Sequence, residues 1–270
     1  MREPYHETEH GVLYHGDCLD VMREMADNSI DLTVTSPPYD NLRDYKGYSF
    51  DFESIAKELF RITKVGGVVV WVVNDATVNG SETGTSFKQA LYFKEVGFNL
   101  HDTMIYEKDG ISFPDNNRYQ SVFEYMFMLS KGKPNVFNPI MVKTICHSKY
   151  VTNRQKDGTV KGKMIQSDKR ERIRGNIWRY GAGYMKSAKR KFVFEHPAIF
   201  PEQLAIDHIL SWSNVNDIIL DCFMGSGTVG IASIRTNRKY IGIDISSEYL
   251  DIAARRIDAE MEQTDFLRDL

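Results

Sequence analysis

Asp221-Cys222-Phe223-Met224-Gly225-Ser226-Gly227-Thr228-Val229-Gly230 is the stretch that decides how this chain folds. The apolar run Ile218-Ile219-Leu220 leads into it and an apolar helical pattern follows, so it predicts a strand, a glycine turn and a helix start. Gly225, Gly227 and Gly230 satisfy GxGxxG, and Asp244 lies near the end of the next predicted strand, Tyr240–Ile245. Glycines let the backbone turn tightly and approach a ligand, the helix N-terminus offers N–H groups, and a strand-end carboxylate can hold ribose hydroxyls. Dinucleotides and S-adenosylmethionine both suit that geometry. A purely structural strand-to-helix turn is the plain alternative.

Position discriminates further. After the loop come one helix, the Tyr240–Ile245 strand and an amphipathic helix over Glu248–Met261. A dehydrogenase places its glycine unit first and continues the sheet after it. Here the remaining strands must come from the N-terminal half, so the sheet is circularly permuted, an arrangement that disfavours NAD. Upstream, Val12–His15, Ile30–Thr35, Val68–Val73, Leu100–Tyr106 and Val122–Leu129 read as strands. Leu19, Val21, Met22 and Met25 mark a short helix, and Ile55, Leu59 and Ile62 a longer one stopped by Gly66-Gly67. Phe87–Val96 and Pro201–Trp212 complete the helices, while Lys131–Lys191 shows no regular pattern. The fold class is α/β, with helices covering a largely parallel sheet.

Thr35-Ser36-Pro37-Pro38-Tyr39 follows directly on the Ile30–Val34 strand. Two prolines fix the backbone and remove two N–H donors, leaving carbonyl acceptors. The Ser36 hydroxyl beside the Pro37 carbonyl gives a strand end two acceptors for one –NH2 group, and Tyr39 gives a flat face for a planar ring. An exocyclic base amine is a poor nucleophile because its lone pair is delocalised. Accepting both N–H bonds favours a pyramidal nitrogen able to attack a methyl sulfonium, and a base inside a duplex must be flipped out to reach such a site. Alone, the segment also reads as a proline turn after a strand.

Together with the glycine loop, this segment resembles the amino-DNA methyltransferases that act on adenine N6 or cytosine N4. Gly16-Asp17-Cys18-Leu19-Asp20 is similar to their adenine-recognition segment, and Glu124–Lys131 to a strand motif near the target-base pocket. His196-Pro197-Ala198-Ile199-Phe200-Pro201 resembles the cofactor-side motif before a helix. The order, catalytic motif first and cofactor loop last, is that of the β group. The resemblance implies a permuted Rossmann-like, S-adenosyl-L-methionine-dependent methyltransferase sheet with a recognition insertion. It divides the chain into residues 1–135, 136–192 and 193–270, the middle part being target recognition. It implies catalytic roles for Ser36, Pro37, Pro38 and Tyr39. Cofactor contacts are implied for Asp17, Cys18, Pro201, Asp221, Phe223, Gly225, Ser226, Gly227, Thr228 and Asp244. In this family a leading Ser is more often found with cytosine N4 and a leading Asp with adenine N6, so Ser36 points to cytosine. No Pro-Cys dipeptide supports a covalent route to C5-methylcytosine.

Composition fits this reading. The 270 residues are 26% charged, 42% hydrophobic and 12% aromatic, too apolar for a disordered chain. The longest apolar run, Val65–Val73, is too short to span a bilayer, and the polar start Met1–His6 predicts no secretory leader. Cys18, Cys146 and Cys222 lie far apart with no CxxC, which predicts neither disulfides nor a metal and leaves a reducing cytoplasm as the setting. The net charge of −3 conceals an asymmetry. Residues 141–192 hold 15 Lys or Arg against Asp157, Asp168 and Glu171, a balance of +12, so the remainder carries −15. Such a segment predicts a polyanionic partner, here double-stranded DNA, against the alternative of a solvated loop.

Lys169, Arg170, Arg172, Arg174, Lys189, Arg190 and Lys191 are the candidate phosphate contacts, and Asn153, Arg154, Gln155, Gln166 and Asn176 the candidates for base edges. Trp178, Tyr180 and Tyr184 suit either stacking on nucleotides or a small core of the insertion. Asp75 reads as a strand-end cap or a ligand contact, His196 as a packing residue, and Glu248 as first-turn helix charge. Methylation of adenine N6, a protein-glutamine methyltransferase and a catalytically silent DNA-binding regulator remain as alternatives. A homodimer and a cognate restriction endonuclease are left open as partners; no membrane is expected.

Overall fold

The computed structural model describes residues 2–38, 50–110, 117–143, 148–166, 171–181 and 201–268. It divides into two compact units, Met1–Asn138 with Asn176–Leu270, and Pro139–Gly175. The larger unit begins with β1 (His6–Thr8), β2 (Gly11–His15), α1 (Cys18–Arg23), β3 (Ile30–Thr35), α2 (Phe52–Ile62) and β4 (Thr63–Val73). A small hairpin, β5 (Thr77–Val78) and β6 (Ser81–Glu82), leads to α3 (Thr85–Val96), β7 (Asn99–Lys108) and β8 (Phe123–Ser130). The smaller unit holds β9 (Met141–Lys143), β10 (Ser148–Arg154), β11 (Val160–Gln166) and β12 (Glu171–Ile173). The larger unit resumes with β13 (Ile177–Tyr180), α4 (Glu202–Trp212), β14 (Ile218–Asp221), α5 (Thr228–Arg235), β15 (Lys239–Asp244) and α6 (Ser247–Arg268).

Nine strands form one sheet in the order β1-β2-β15-β14-β3-β4-β8-β7-β13. From β2 to β4 the neighbours are parallel, and β8 runs antiparallel between β4 and β7. The two late strands β14 and β15 sit between the early strands β2 and β3, which is the permutation expected from the glycine loop's place in the chain. Val68–Val73 is buried throughout, as a strand covered on both faces must be.

Helices cover both faces. Ile55, Leu59 and Ile62 of α2 share one core with Met22 of α1, Phe93 of α3 and Trp71 of β4. Ile231 and Ile234 of α5 and Leu250, Ala253 and Ile257 of α6 form another with Leu13, Met224 and Tyr240. The helix after β3 therefore lies on one face and the helix after β14, its neighbour in the sheet, on the other. A crevice opens outside the carboxyl ends of strands at such a reversal.

Several expectations are corrected. Gly66-Gly67 does not stop α2; the helix already ends at Thr63, whose backbone is extended. The glycines lie inside β4, where the register with β3 shifts, and the Gly66 N–H donates to the Lys131 carbonyl. Residues 131–191 are not devoid of regular structure: β10 pairs with β11 and β12 with β9, both antiparallel. Trp178 and Tyr180 belong neither to a nucleotide platform nor to a core of the insertion. They lie on β13, paired parallel with β7 at the sheet's edge, and are buried. Trp178 stacks on His208 at 4.7 Å, and the Tyr180 hydroxyl donates to Asp207 at 2.6 Å. Helix α6 continues to Arg268, past the expected end at Met261. Among the described residues no helix is long and apolar enough to cross a membrane.

Candidate active site

Four adjacent parallel strands, β2, β15, β14 and β3, deliver their carboxyl ends to one edge of the sheet. At the end of β3, Thr35 is fully buried, Ser36 is half-buried and Pro37 is buried. At the end of β14, Asp221 is buried beside it. The Thr35 hydroxyl donates to Asp221 Oδ1 at 2.6 Å, and the Phe223 N–H donates to the same oxygen at 3.1 Å. One carboxylate oxygen thus fastens the strand that carries Ser36-Pro37-Pro38 to the first turn of the glycine loop. Burial pushes the Asp221 carboxyl up to about 7, with the Thr35 and Phe223 bonds opposing the rise.

The glycine loop takes its predicted form. Gly225 and Gly227 have φ of 50° and 83°, left-handed values that favour glycine. At Gly227 a side chain is also excluded by space, because a Cβ would stand 2.9 Å from the Ala253 Cβ of α6. Phe223 packs against Phe50 and Trp71, with ring centroids at 5.7 and 6.3 Å. Asp244, at the end of β15, accepts the Gly225 N–H on Oδ2 at 2.7 Å and the Ser246 N–H on Oδ1 at 2.8 Å. Burial raises its pKa against those two bonds.

At the end of β2 the Gly16 N–H donates to the Asp244 carbonyl at 3.0 Å. Asp17 follows and caps α1, its Oδ1 accepting the Leu19 N–H at 2.7 Å. Cys18 and Cys222 are buried and neither is in a disulfide, and burial drives the Cys222 thiol far up, away from the nucleophilic thiolate. Pro201 is the buried N-cap of α4. The Asp75 carboxylate accepts the Ser86 N–H at 2.8 Å and hydroxyl at 2.6 Å, holding the start of α3.

The structure thus brings Ser36, Pro37, Asp17, Asp221, Phe223, Gly225, Gly227 and Asp244 to one edge of the sheet. Tyr39, Lys169, Arg170, Lys189, Arg190, Lys191, Tyr184, Cys146 and His196 lie outside the described residues. Arg172 is exposed on β12, and Arg174 follows it. Sequence reasoning missed Thr35, which makes the strand-to-strand link, and Glu202 and Arg256, which support the loop from behind. The Arg256 guanidinium donates to the Ser226 carbonyl and, at 3.1 Å, to the Ser226 hydroxyl, and pairs with Glu202 at 2.8 Å. Among the described residues no cluster of His, Cys, Asp and Glu is arranged to hold a metal.

Glycines without Cβ atoms, a carboxylate beside them and a proline-fixed strand end next door fit a nucleoside cofactor facing a planar acceptor. The pattern of the family described as DNA methylase, acting at N6 or N4, matches residues 30–255. The orphan methyltransferase M.BamHII of Bacillus amyloliquefaciens is 59% identical over 239 residues, 86% of this chain and 90% of that protein. In three dimensions the chain is similar to the PvuII cytosine-N4-specific DNA methyltransferase, with TM-score 0.71 and 20% identity, covering 94% and 89% of the two chains. It is also similar to M1.HpyAVI in complex with S-adenosylmethionine, with TM-score 0.60 and 21% identity, covering 91% and 98%. The chain therefore belongs to the β-group amino DNA methyltransferases, enzymes that move a methyl group from S-adenosyl-L-methionine to an exocyclic amine of DNA.

Proposed function

We propose that this enzyme methylates the N4 amine of a cytosine flipped out of double-stranded DNA. The observation that carries the reading is the end of β3: Ser36 leads Pro37-Pro38 there, tied through Thr35 and Asp221 to the glycine loop. Bound S-adenosylmethionine supplies an electrophilic methyl on a sulfonium. The Ser36 hydroxyl and the Pro37 carbonyl accept the two amine N–H groups, which turns the nitrogen lone pair outward, and Tyr39 covers the face of the base. The amine nitrogen would gain the methyl carbon as the carbon–sulfur bond breaks and the sulfonium leaves as a neutral thioether, and the nitrogen would release one proton, with no covalent bond to the protein. Phe223, Gly225, Ser226, Gly227 and Thr228 hold the methionine end, supported by Asp221 and Pro201. Asp244 holds the ribose, and Asp17 with the Cys18 backbone holds the adenine.

The fit is electrostatic as well as steric. Two desolvated carboxyl groups, Asp221 and Asp244, end adjacent strands with raised pKa values, and a cationic ligand favours their ionised forms. Catalysis is then mainly positioning and preorganised electrostatics. Residues 136–192 serve target recognition, with the basic side chains placing DNA through its phosphates.

The decisive experiment is transfer of a labelled methyl group to duplex DNA followed by mass spectrometry of the nucleosides. N4-methylcytosine is the expected product. N6-methyladenine as the sole product would overturn the choice of base, and unlabelled DNA would overturn the substrate.

A further inference from the structure

Behind the glycine loop lies a charge network that no part of the proposed chemistry uses. Arg256 of α6 is 2% exposed, among the most buried large side chains of the molecule. One end of its guanidinium donates to the Ser226 carbonyl and hydroxyl and, at 3.5 Å, to the Thr228 hydroxyl. The other end donates to Glu202 Oε1 at 2.8 Å. Glu202 is the first residue of α4, directly after Pro201, and its Oε2 accepts from Arg235 at 2.8 Å. Arg235 in turn forms a two-pronged pair with Glu260 at 2.6 and 2.8 Å.

A buried guanidinium is costly unless every donor finds an acceptor and the charge is matched. Here the acceptors include three atoms of the turn whose flanking glycines hold left-handed backbone. That turn is fixed from several sides: the Gly225 N–H by Asp244, the Ser226 carbonyl by Arg256 and the Gly227 N–H by the Met224 carbonyl. A planar fork suits this task better than a flexible ammonium. Arg235 lies in the same network, but its partners are Glu202 and Glu260 rather than atoms of the loop, which makes it a natural control.

We propose that Arg256, braced by Glu202, is a positioning residue that holds the Ser226–Thr228 turn in the shape that receives the methionine end of S-adenosylmethionine. The pair also sets the charge behind that site: with Glu202 present the buried cation is balanced, and a sulfonium can approach. The proposal rests on the reading of the glycine loop as the cofactor loop.

Calorimetric binding of S-adenosylmethionine and of its demethylated product, together with thermal unfolding of the free protein, tests it. Arg256→Lys keeps the charge opposite Glu202 but loses the fork, and should weaken binding about ten-fold, the equivalent of one charge-assisted hydrogen bond. Arg235→Met should lower the melting temperature at least as much as Arg256→Lys while leaving affinity within about two-fold. Glu202→Gln removes a negative charge paired with Arg256 and should weaken S-adenosylmethionine several-fold more than the uncharged thioether product. A merely structural brace would move both ligands equally. Parental affinity in Arg256→Lys, equal losses of affinity in Arg256→Lys and Arg235→Met, or equal losses of the two ligands in Glu202→Gln would overturn the proposal. Asp244→Ala separates the two readings. If it leaves binding intact, the loop is not the cofactor site; if it abolishes binding while Arg256→Lys does not weaken it, the role of Arg256 alone is wrong.

Discussion

The two units of this protein spend their residues in opposite ways. In the larger unit, strands buried on both faces surround Trp71, and even charged side chains such as Arg256 are enclosed. In the smaller unit, Pro139–Gly175, none of the side chains described is buried; those of residues 148, 149, 165 and 166 are not among them. Its two strand pairs leave Tyr150, Val160, Met164 and Ile173 exposed beside Lys161, Lys163 and Arg172. An isolated two-stranded pair is marginal in water. One region stores stability and preorganised chemistry, and the other keeps its side chains at the surface, as the phosphate contacts proposed for it would require.

The contrast can be broken in several places. The largest effect is expected at Ser36: Ser36→Ala should reduce methyl transfer on the order of a hundred-fold or more and leave cofactor affinity unchanged. Steady-state rates and calorimetry check this, and an unaltered rate would remove Ser36 from the chemistry. Trp71→Ala should lower stability by about 3–5 kcal/mol in denaturant unfolding, since it empties a site in the core and orphans the Gln89 partner of its indole N–H.

Asp221 sharpens the comparison through pH. Its folded pKa is about 7 against an ordinary 3.8. Between those values the folded protein keeps a proton that the unfolded chain has released, so stability falls as pH rises through the window and levels off above it. Asp221→Asn removes that dependence. It should gain about 4 kcal/mol over the parent at a pH of about 8 and only about 1 kcal/mol at about 4.5, as read from melting curves. Equal gains at both ends would show that Asp221 does not titrate there.

The smaller unit should respond in a different currency. Replacing Lys161, Lys163 and Arg172 by Ala should weaken DNA binding and reduce the slope of log K against log salt by about one for each phosphate that is no longer neutralised, with cofactor affinity unmoved. An unchanged slope would place the phosphate-binding side chains elsewhere. Smallest of all, Tyr150→Ala should change stability by less than about 0.5 kcal/mol; a loss like that of Trp71→Ala would give the smaller unit a core of its own.

What the sequence disclosed follows the same division. Strand β3 runs over Ile30–Thr35 as predicted, because a β-branched run halted by two prolines allows little else. The glycine loop was equally legible, since left-handed backbone and the approach of Ala253 leave glycine as the residue that fits. The pair Gly66-Gly67 misled because glycine marks helix ends and strand irregularities alike. Its pairing partners Lys131 and Asn135 are distant in sequence. Strands β10 and β11 escaped notice because most of their described side chains are exposed, which erases the apolar alternation by which strands are recognised. The place of Trp178 and Tyr180 depended on pairing with β7, a strand far away in sequence. Arg256 did leave a trace: it falls on the buried stripe of α6 with Ile252, Ala253, Ile257 and Glu260, where a charge calls for a partner.

The insertion of β14 and β15 between β2 and β3 has a consequence for how the chain is made. During synthesis β2 and β3 emerge early, yet the strands that fill the space between them come from residues 218–244. Until those arrive, two sheet edges remain open, each a row of unpaired N–H and C=O groups that invites pairing with another chain. Pairing between such distant segments also slows folding. The nascent protein therefore passes through an interval in which its middle is missing and its flanks are adhesive. The amount of enzyme a cell recovers should depend on how quickly residues 218–244 follow β2 and β3.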